Sequence, residues 1–368
     1  MRCFARVDLR TLVSNYRNVR TFLGEGRELL AVVKGNAYGH GAVPVSRALS
    51  EAGCRQFAVS CASEGIALRE AGTEGEIVVL NGFLPGEEEE IEGAALTPML
   101  HSLDLIERWG EHSRRLGRRL PCHVKVDTGM NRLGIPLVEH ARAARQLADA
   151  ERFEVRGLAT HLASAEDLSD PLGNEQLGRF EQAAFLFRET GVSPPFLHTA
   201  NSAALAYRPL GISTMARPGL ALYGSLLPSV GDAPLPPFSV EPALEWRARV
   251  LSVRELGEGD RVGYDGLFRA PRPMTIAALS AGYGDGLCRA LSEAGDVLIG
   301  DLRCPFVGRI SMDVSMVDVS HATDVEPGME AILIGGAITA TQTARRAGTI
   351  AYEILSGISA RVDRIYER

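Results

Sequence analysis

The sequence predicts an α/β protein, an N-terminal (β/α)8 TIM-type barrel followed by a mostly-β C-terminal domain. Three observations carry that expectation. Short apolar runs alternate with stretches of helical period from residue 29 to residue 223, a proline-dense segment then breaks the alternation, and beyond it the period drops to two. The apolar runs are 29–34 (LLAVVK), 56–60 (QFAVS), 77–80 (IVVL), 96–100 (LTPML), 121–127 (PCHVKVD), 153–161 (FEVRGLATH), 195–200 (PFLHTA) and 215–223 (MARPGLALY). Between them, 62–71 and 102–116 place apolar residues at three- and four-residue spacing, as helices with one buried face do. Eight such units in series match a closed barrel. A doubly wound open sheet usually has fewer strands and no reason to stop at eight.

The break falls between Pro228 and Pro242, where Pro234, Pro236 and Pro237 crowd one short segment. Proline lacks the amide that a helix interior or a central strand needs, so this is a linker. It divides the chain into 1–230 and 231–368. The second part carries period-two, β-branched segments at 245–256, 260–264, 274–282, 296–319 and 330–336. A helix over 340–347 and the run Ile350-Ala351-Tyr352-Glu353-Ile354-Leu355 follow.

Composition excludes several function classes. A net charge of -7 with no long Lys/Arg run lacks the electrostatic footprint of a nucleic-acid binder. The first twenty residues have charges throughout and no apolar h-region, and no stretch reaches transmembrane length; the expectation is a cytoplasmic enzyme that touches no membrane. Six cysteines without C-x-x-C spacing argue against a zinc site or a disulfide framework, so no metal is expected. The run Glu87 to Glu90 reads as a solvated helix face rather than a cation site.

In such a barrel, catalytic groups sit at the carboxyl ends of the strands. Lys34 ends the first apolar run. A lysine there either snorkels to water or, partly desolvated, becomes a nucleophile towards aldehydes. Asp127-Thr128-Gly129-Met130-Asn131-Arg132 follows the fifth run, His161 ends the sixth, Asn201-Ser202 follows the seventh, and Arg217-Pro218-Gly219-Leu220 lies in the eighth. The Asn-Ser pair can cap a helix and equally place amides where a phosphate binds.

Nine segments in order resemble the alanine racemase family, pyridoxal 5′-phosphate (PLP) enzymes of fold type III. They are AVVKGNAYGHG at 31–41, VKVDTGMNRLG at 124–134, THLAS at 160–164, HTANSAA at 198–204, RPGLALYG at 217–224, VGYDG at 262–266, AGYGDG at 281–286, GRISMD at 308–313 and YEILSGISARV at 352–362. The resemblance implies PLP carried covalently on Lys34. It places the phosphate against Tyr38, Ser202, Tyr352 and the backbone at Gly219 and Leu220, with Asn201 also in the cofactor site. It sets Arg217 opposite the pyridine nitrogen, supported by His161, and Arg132 near the phenolic oxygen and the substrate carboxylate. A guanidinium facing that nitrogen leaves it unprotonated and the ring a weaker electron sink. Lys125 matches a position often carbamylated in the family. Lys34 and Tyr264 become the two bases of a racemase, with Met312, Asp313 and Tyr283 near the substrate. Tyr264 would come from the partner in a homodimer with shared active sites. On their own, Met312 reads as core in an apolar strand and Tyr283 as a turn residue between glycines. Three departures stand out: Gly35 where alanine is common, Asp265-Gly266 after Tyr264, and Arg361-Val362-Asp363-Arg364 where proline is usual at the third position. The competing readings are a serine or broad-specificity racemase, a fold-type III decarboxylase and a PLP-carrier protein.

Overall fold

The computed structural model describes residues 1–368. Seven parallel strands, Ala31–Val32, Gln56–Val59, Glu76–Val79, Thr97–Leu100, Leu120–Lys125, Phe153–Ala159 and Phe196–His198, pair in sequence order as one curled sheet. Helices cover its outer face and side chains fill its inner face. Its strands are accordingly apolar in both directions, and Ile77, Val78 and Val79 are all fully buried. An eighth short strand, Met215–Ala216, completes the ring by pairing in parallel with Glu28–Leu29, the upstream half of the first strand. Leu30 and Val32 donate to the carbonyls of Ala216 and Pro218, and on the other side Arg217 donates to Ala200.

Two expected strands are shorter than their apolar runs. The eighth run was expected to be strand over 215–223, yet only Met215–Ala216 is; Pro218 has no amide to donate, and Leu220–Tyr223 winds into a 3-10 turn. The first run stops at Val32, so Lys34 opens a tight turn instead of ending a strand. The expected helices at 62–71 and 102–116 appear as Ala62–Glu70 and Leu103–Leu116. In the glutamate run, Glu89 and Glu90 are exposed as expected. Glu88 is not: it is buried and accepts from the Gly86 amide at 2.8 Å.

Beyond the irregular linker lies a branched β-sheet. Its long strand Leu244–Leu256 shifts register between Val250 and Ser252, and so serves two sets of neighbours. The first half pairs with Glu330–Ile334, the second with Met274–Leu279. Ala340–Ala347 and Ala351–Ser356 are the two helices of this part, the first closed by a capping box between Thr339 and Gln342. One contribution to this sheet comes from the other end of the chain. Cys3–Asp8 pairs antiparallel with Leu244–Leu256 and parallel with Asp363–Glu367.

Candidate active site

The carboxyl ends of the barrel strands and the start of helix Ala351–Ser356 enclose a cavity of about 600 Å³. Lys34, Tyr38, Lys125, Arg132, His161, Asn201, Ser202, Arg217, Gly219, Leu220 and Tyr352 all line it. Residues from distant parts of the sequence therefore share one chamber of the size that holds a small cofactor.

Lys34 is held by an unusual backbone. Gly35, Asn36, Ala37 and Tyr38 have φ of +61°, +52°, +53° and +52°, a left-handed turn directly after the lysine. Such a conformation costs roughly 1–2 kcal/mol at each non-glycine residue, so the surroundings must impose it. Asn36 Oδ1 accepts from Ala42 N at 2.8 Å, and Gly39 packs so tightly on the Leu355 carbonyl that a Cβ would lie 2.2 Å from its oxygen. Glu64 adds a clamp, its two oxygens accepting at 2.7 Å from the Gly35 and Ser60 amides. Gly35 occupies the first left-handed position, where glycine carries no penalty.

The electrostatics favour an anionic ligand. Lys34, Lys125, Arg132 and Arg217 all face the cavity and Glu64 is its one carboxylate. Burial, then the charge of Arg132, pulls the Lys34 amine below its usual range. Lys125, also buried, falls to about 8, with Arg217 the largest of its neighbouring charges. Burial and Arg217 keep His161 neutral by pushing its pKa well below the ordinary value. The buried Arg217 drops only to about 10 and stays charged.

Arg217 is fixed at both nitrogens. Nη2 donates to the Thr160 carbonyl at 2.6 Å, while Nη1 donates to the His198 carbonyl and, at 3.0 Å, to His198 Nδ1. His161 Nδ1 lies 3.3 Å from Nη2. At the other end of the chamber, Ser202 Oγ accepts from the Gly219 and Ala221 amides at 3.0 and 3.1 Å. The Tyr38 hydroxyl stands over Gly219 so closely that a Cβ there would lie 2.4 Å from it. Tyr352 packs its ring 5.8 Å from that of Tyr38. Hydroxyls and main-chain amides thus gather opposite the guanidinium.

The profile of the alanine racemase N-terminal domain matches residues 7–227, and that of the C-terminal domain residues 243–366. An alanine racemase of Symbiobacterium thermophilum is 41% identical over 367 residues, covering 99% of this chain and 96% of that one. The chain belongs to the alanine racemase family. A relative from Geobacter sulfurreducens is 36% identical, with 98% and 96% covered. Among solved structures, alanine racemase from Bartonella henselae with covalently bound pyridoxal phosphate superposes with TM-score 0.90 at 32% identity, covering 100% of both chains. Alanine racemase from Bacillus anthracis with bound L-Ala-P gives TM-score 0.91 at 34% identity, covering 100% of this chain and 95% of that one.

Four residues that resemblance to the alanine racemase family singled out do not line the cavity. Tyr264, Tyr283 and Met312 are 71%, 45% and 53% exposed on the β domain. Asp313 is exposed beside them and held by Arg361 at 2.9 Å. Tyr283 N donates to Ser311 O and Gly284 N to Met312 O, so the Tyr283 and Met312 turns are hydrogen-bonded together. Met312 is thus no core residue: the strand expected through 296–319 is interrupted before Ser315–Asp318, and Met312 sits in the turn. Sequence reasoning missed Glu64 and His198. Both had a positional signal, since Glu64 lies in the first turn of the helix after the second strand and His198 ends the seventh.

Proposed function

We propose that this protein interconverts L-alanine and D-alanine with PLP as its cofactor, supplying D-alanine for peptidoglycan. The observation that carries this reading is the pairing of Lys34, whose amine burial pulls below its usual range, with the guanidinium of Arg217 in the same chamber. The donor set suits PLP. Lys34 would carry its aldehyde carbon, Tyr38, Ser202, Tyr352 and the Gly219–Leu220 backbone its phosphate, and Arg217 would face its ring nitrogen, with Asn201 and His161 alongside. When bound, PLP supplies a conjugated ring that delocalises the electron pair left by a departing Cα proton.

The chain's own groups do the rest. Lys34 Nζ, its pKa lowered, takes or returns the proton on one face of Cα. Arg217, held by two carbonyls and a histidine, has no proton to give away at working pH and so limits how far the ring withdraws electrons. Arg132 draws the substrate carboxylate. The other face needs a second acid–base group, and the resemblance assigns it to a residue outside the chamber's own lining. The partner subunit's Tyr264 fills that role in a homodimer with shared sites, with Met312, Asp313 and Tyr283 forming the rim around the substrate. Lys125, half neutral near pH 8, is placed to take up carbon dioxide as a carbamate. The division at 1–230 and 231–368 follows the same reading, the first part holding most of the cofactor site and the second adding Tyr352 to it and closing the partner's site, although Cys3–Asp8 of the first part joins the second part's sheet.

No helix is long and apolar enough to cross a membrane, in keeping with a cytoplasmic enzyme. A coupled-enzyme racemisation assay over a panel of L-amino acids tests the reading. Alanine is expected to turn over fastest. Preference for serine would move the protein to the broad-specificity class, and carbon dioxide release from a diamino acid would replace racemase with decarboxylase.

A further inference from the structure

Beneath the chamber, a line of buried polar side chains runs through the barrel interior where apolar residues would be expected. His198 and His123 are both fully buried, as is Arg217 in all but 6% of its surface. Arg217 Nη1 lies 3.0 Å from His198 Nδ1, His198 Nε2 lies 3.0 Å from His123 Nδ1, and His123 Nε2 lies 3.6 Å from Glu76 Oε2. The far end is anchored outside the line: Glu76 Oε1 accepts from Arg156 Nη1 and Thr97 Oγ1, each at 3.1 Å. Glu76 begins the third barrel strand, so the line starts near the end of the barrel opposite the chamber.

The direction of every bond in this line is forced. A guanidinium has donors and no acceptor, so His198 Nδ1 must present its lone pair. A neutral imidazole has one donor and one acceptor, and His198 beside Arg217 is held neutral, chiefly by burial. Its proton is therefore on Nε2 and points at His123 Nδ1. His123 must accept there, which puts its own proton on Nε2, aimed at the Glu76 carboxylate. Burial opposes ionisation of Glu76, yet the nearby His123 ring and the pair with Arg156 outweigh it and hold the carboxyl down at about 2. The terminal acceptor is thus an anion across the physiological range.

A gap in the intervening strand makes the line possible. His123 and His198 belong to the fifth and seventh strands and meet across the sixth, at Gly157. A Cβ on Gly157 would lie 2.2 Å from His123 Nδ1 and 2.8 Å from His198 Nε2. That glycine has no left-handed backbone to explain it; the space it leaves is filled by the imidazole pair.

We propose that Glu76, His123 and His198 form a directed relay, hydrogen-bonded from Arg217 through His198 to His123 and closed by the 3.6 Å charge contact of His123 with Glu76, that fixes the orientation of Arg217 from the opposite end of the barrel. Glu76 and His123 are positioning residues, acting on the cofactor site only through His198 and Arg217. Each acceptor in the chain gains basicity from the anion behind it, which strengthens the hold on the guanidinium. The consequence for the reaction rests on the racemase reading above. The bond order does not.

The first test is therefore 15N NMR of histidine-labelled holoenzyme, which reads tautomers directly. His123 and His198 are both expected to carry a proton on Nε2 and none on Nδ1. An Nδ1-protonated form of either ring overturns the relay whatever the protein catalyses. The second test compares variants. Glu76→Gln keeps a carbonyl acceptor for His123 and should retain both tautomers and kcat within about threefold. Glu76→Leu and Gly157→Ala remove the acceptor and the space respectively, leaving Arg217 untouched. Both should shift the His198 signals and the visible absorption of the bound cofactor, and lower kcat by roughly 10–100-fold, the range known for outer partners of metal-bound histidines. If Gly157→Ala folds and moves neither the His198 signals nor the absorption band, the relay does not reach Arg217. Normal tautomers in a protein without racemase activity would instead leave the relay standing and remove the function.

Discussion

On the barrel, Lys34, Lys125, His161 and Arg217 are withdrawn from water and their titrations displaced by burial and by one another's charge. On the β domain, Tyr264 and Met312 have more than half of their surface open and no group in the barrel chamber to work with. The contrast is one of completeness. Groups whose acidity is shifted chiefly by desolvation must be buried by their own chain, as Lys34, Lys125 and His161 are. A group that supplies one proton from across an interface can wait on a rigid turn in the solvent, and its partner provides the desolvation. The barrel therefore holds the larger part of a pre-formed cofactor site, and the exposed rim is the surface that the proposed second copy would cover.

The sharpest break of that contrast is Lys34→Ala. Racemisation should fall to background and borohydride should no longer fix the cofactor to the chain, read by mass spectrometry of the peptide containing residue 34. Label recovered on another lysine would mean the barrel chamber is not the reacting centre. Next in size is Tyr264→Phe, expected to lose roughly 10²–10⁴ in rate, the range for one positioned acid–base group, while still binding PLP. Mixing the two variants decides whether the halves come from different chains. A mixed dimer carries one doubly damaged site and one intact site, so activity should return towards half the wild-type value. Demonstrated subunit exchange with no recovery would place both bases in one chain.

Arg217→Glu tests the electronic half of the contrast. A carboxylate facing the ring nitrogen would stabilise its protonated form, the proton coming from solvent, and strengthen the electron sink, so racemisation should drop while keto-acid product from transamination rises. Loss of PLP without altered partitioning would show that Arg217 only anchors. The smallest effect is expected from acid. The Glu76 carboxyl, folded near 2 against an ordinary 4.5, contributes stability that is present above about 4.5 and is lost as pH falls towards 2. Glu76→Gln should therefore flatten the decline of the urea midpoint between about pH 5 and 3. An unchanged slope would mean other carboxylates govern it.

How much of this was legible depended on range. The parallel strands announced themselves as apolar runs because both of their faces are buried, and the helix over 340–347 matched its observed span of Ala340–Ala347. The eighth run misled because apolar composition alone cannot distinguish strand from a buried 3-10 turn such as Leu220–Tyr223. Cavity-lining residues were readable where they follow a strand end. The Glu76–His123–His198 line was not, since its members are spread over 122 residues and belong together only after the barrel closes. Lone histidines within apolar runs give no sign of facing one another across a glycine on a third strand.

The strand Cys3–Asp8 lies between Leu244–Leu256 and Asp363–Glu367 in the β-sheet. During synthesis its residues precede the whole barrel, and its parallel neighbour is made only after everything between them. The barrel, whose neighbours in space are neighbours in sequence, can assemble from local contacts as it emerges. The sheet has to wait, with the half-apolar strand Cys3–Asp8 left unpaired for more than two hundred residues of elongation. That order lets the strands that position Lys34, Lys125 and Arg217 assemble early, while the chamber closes only when helix Ala351–Ser356, the last of its walls to be made, packs against them.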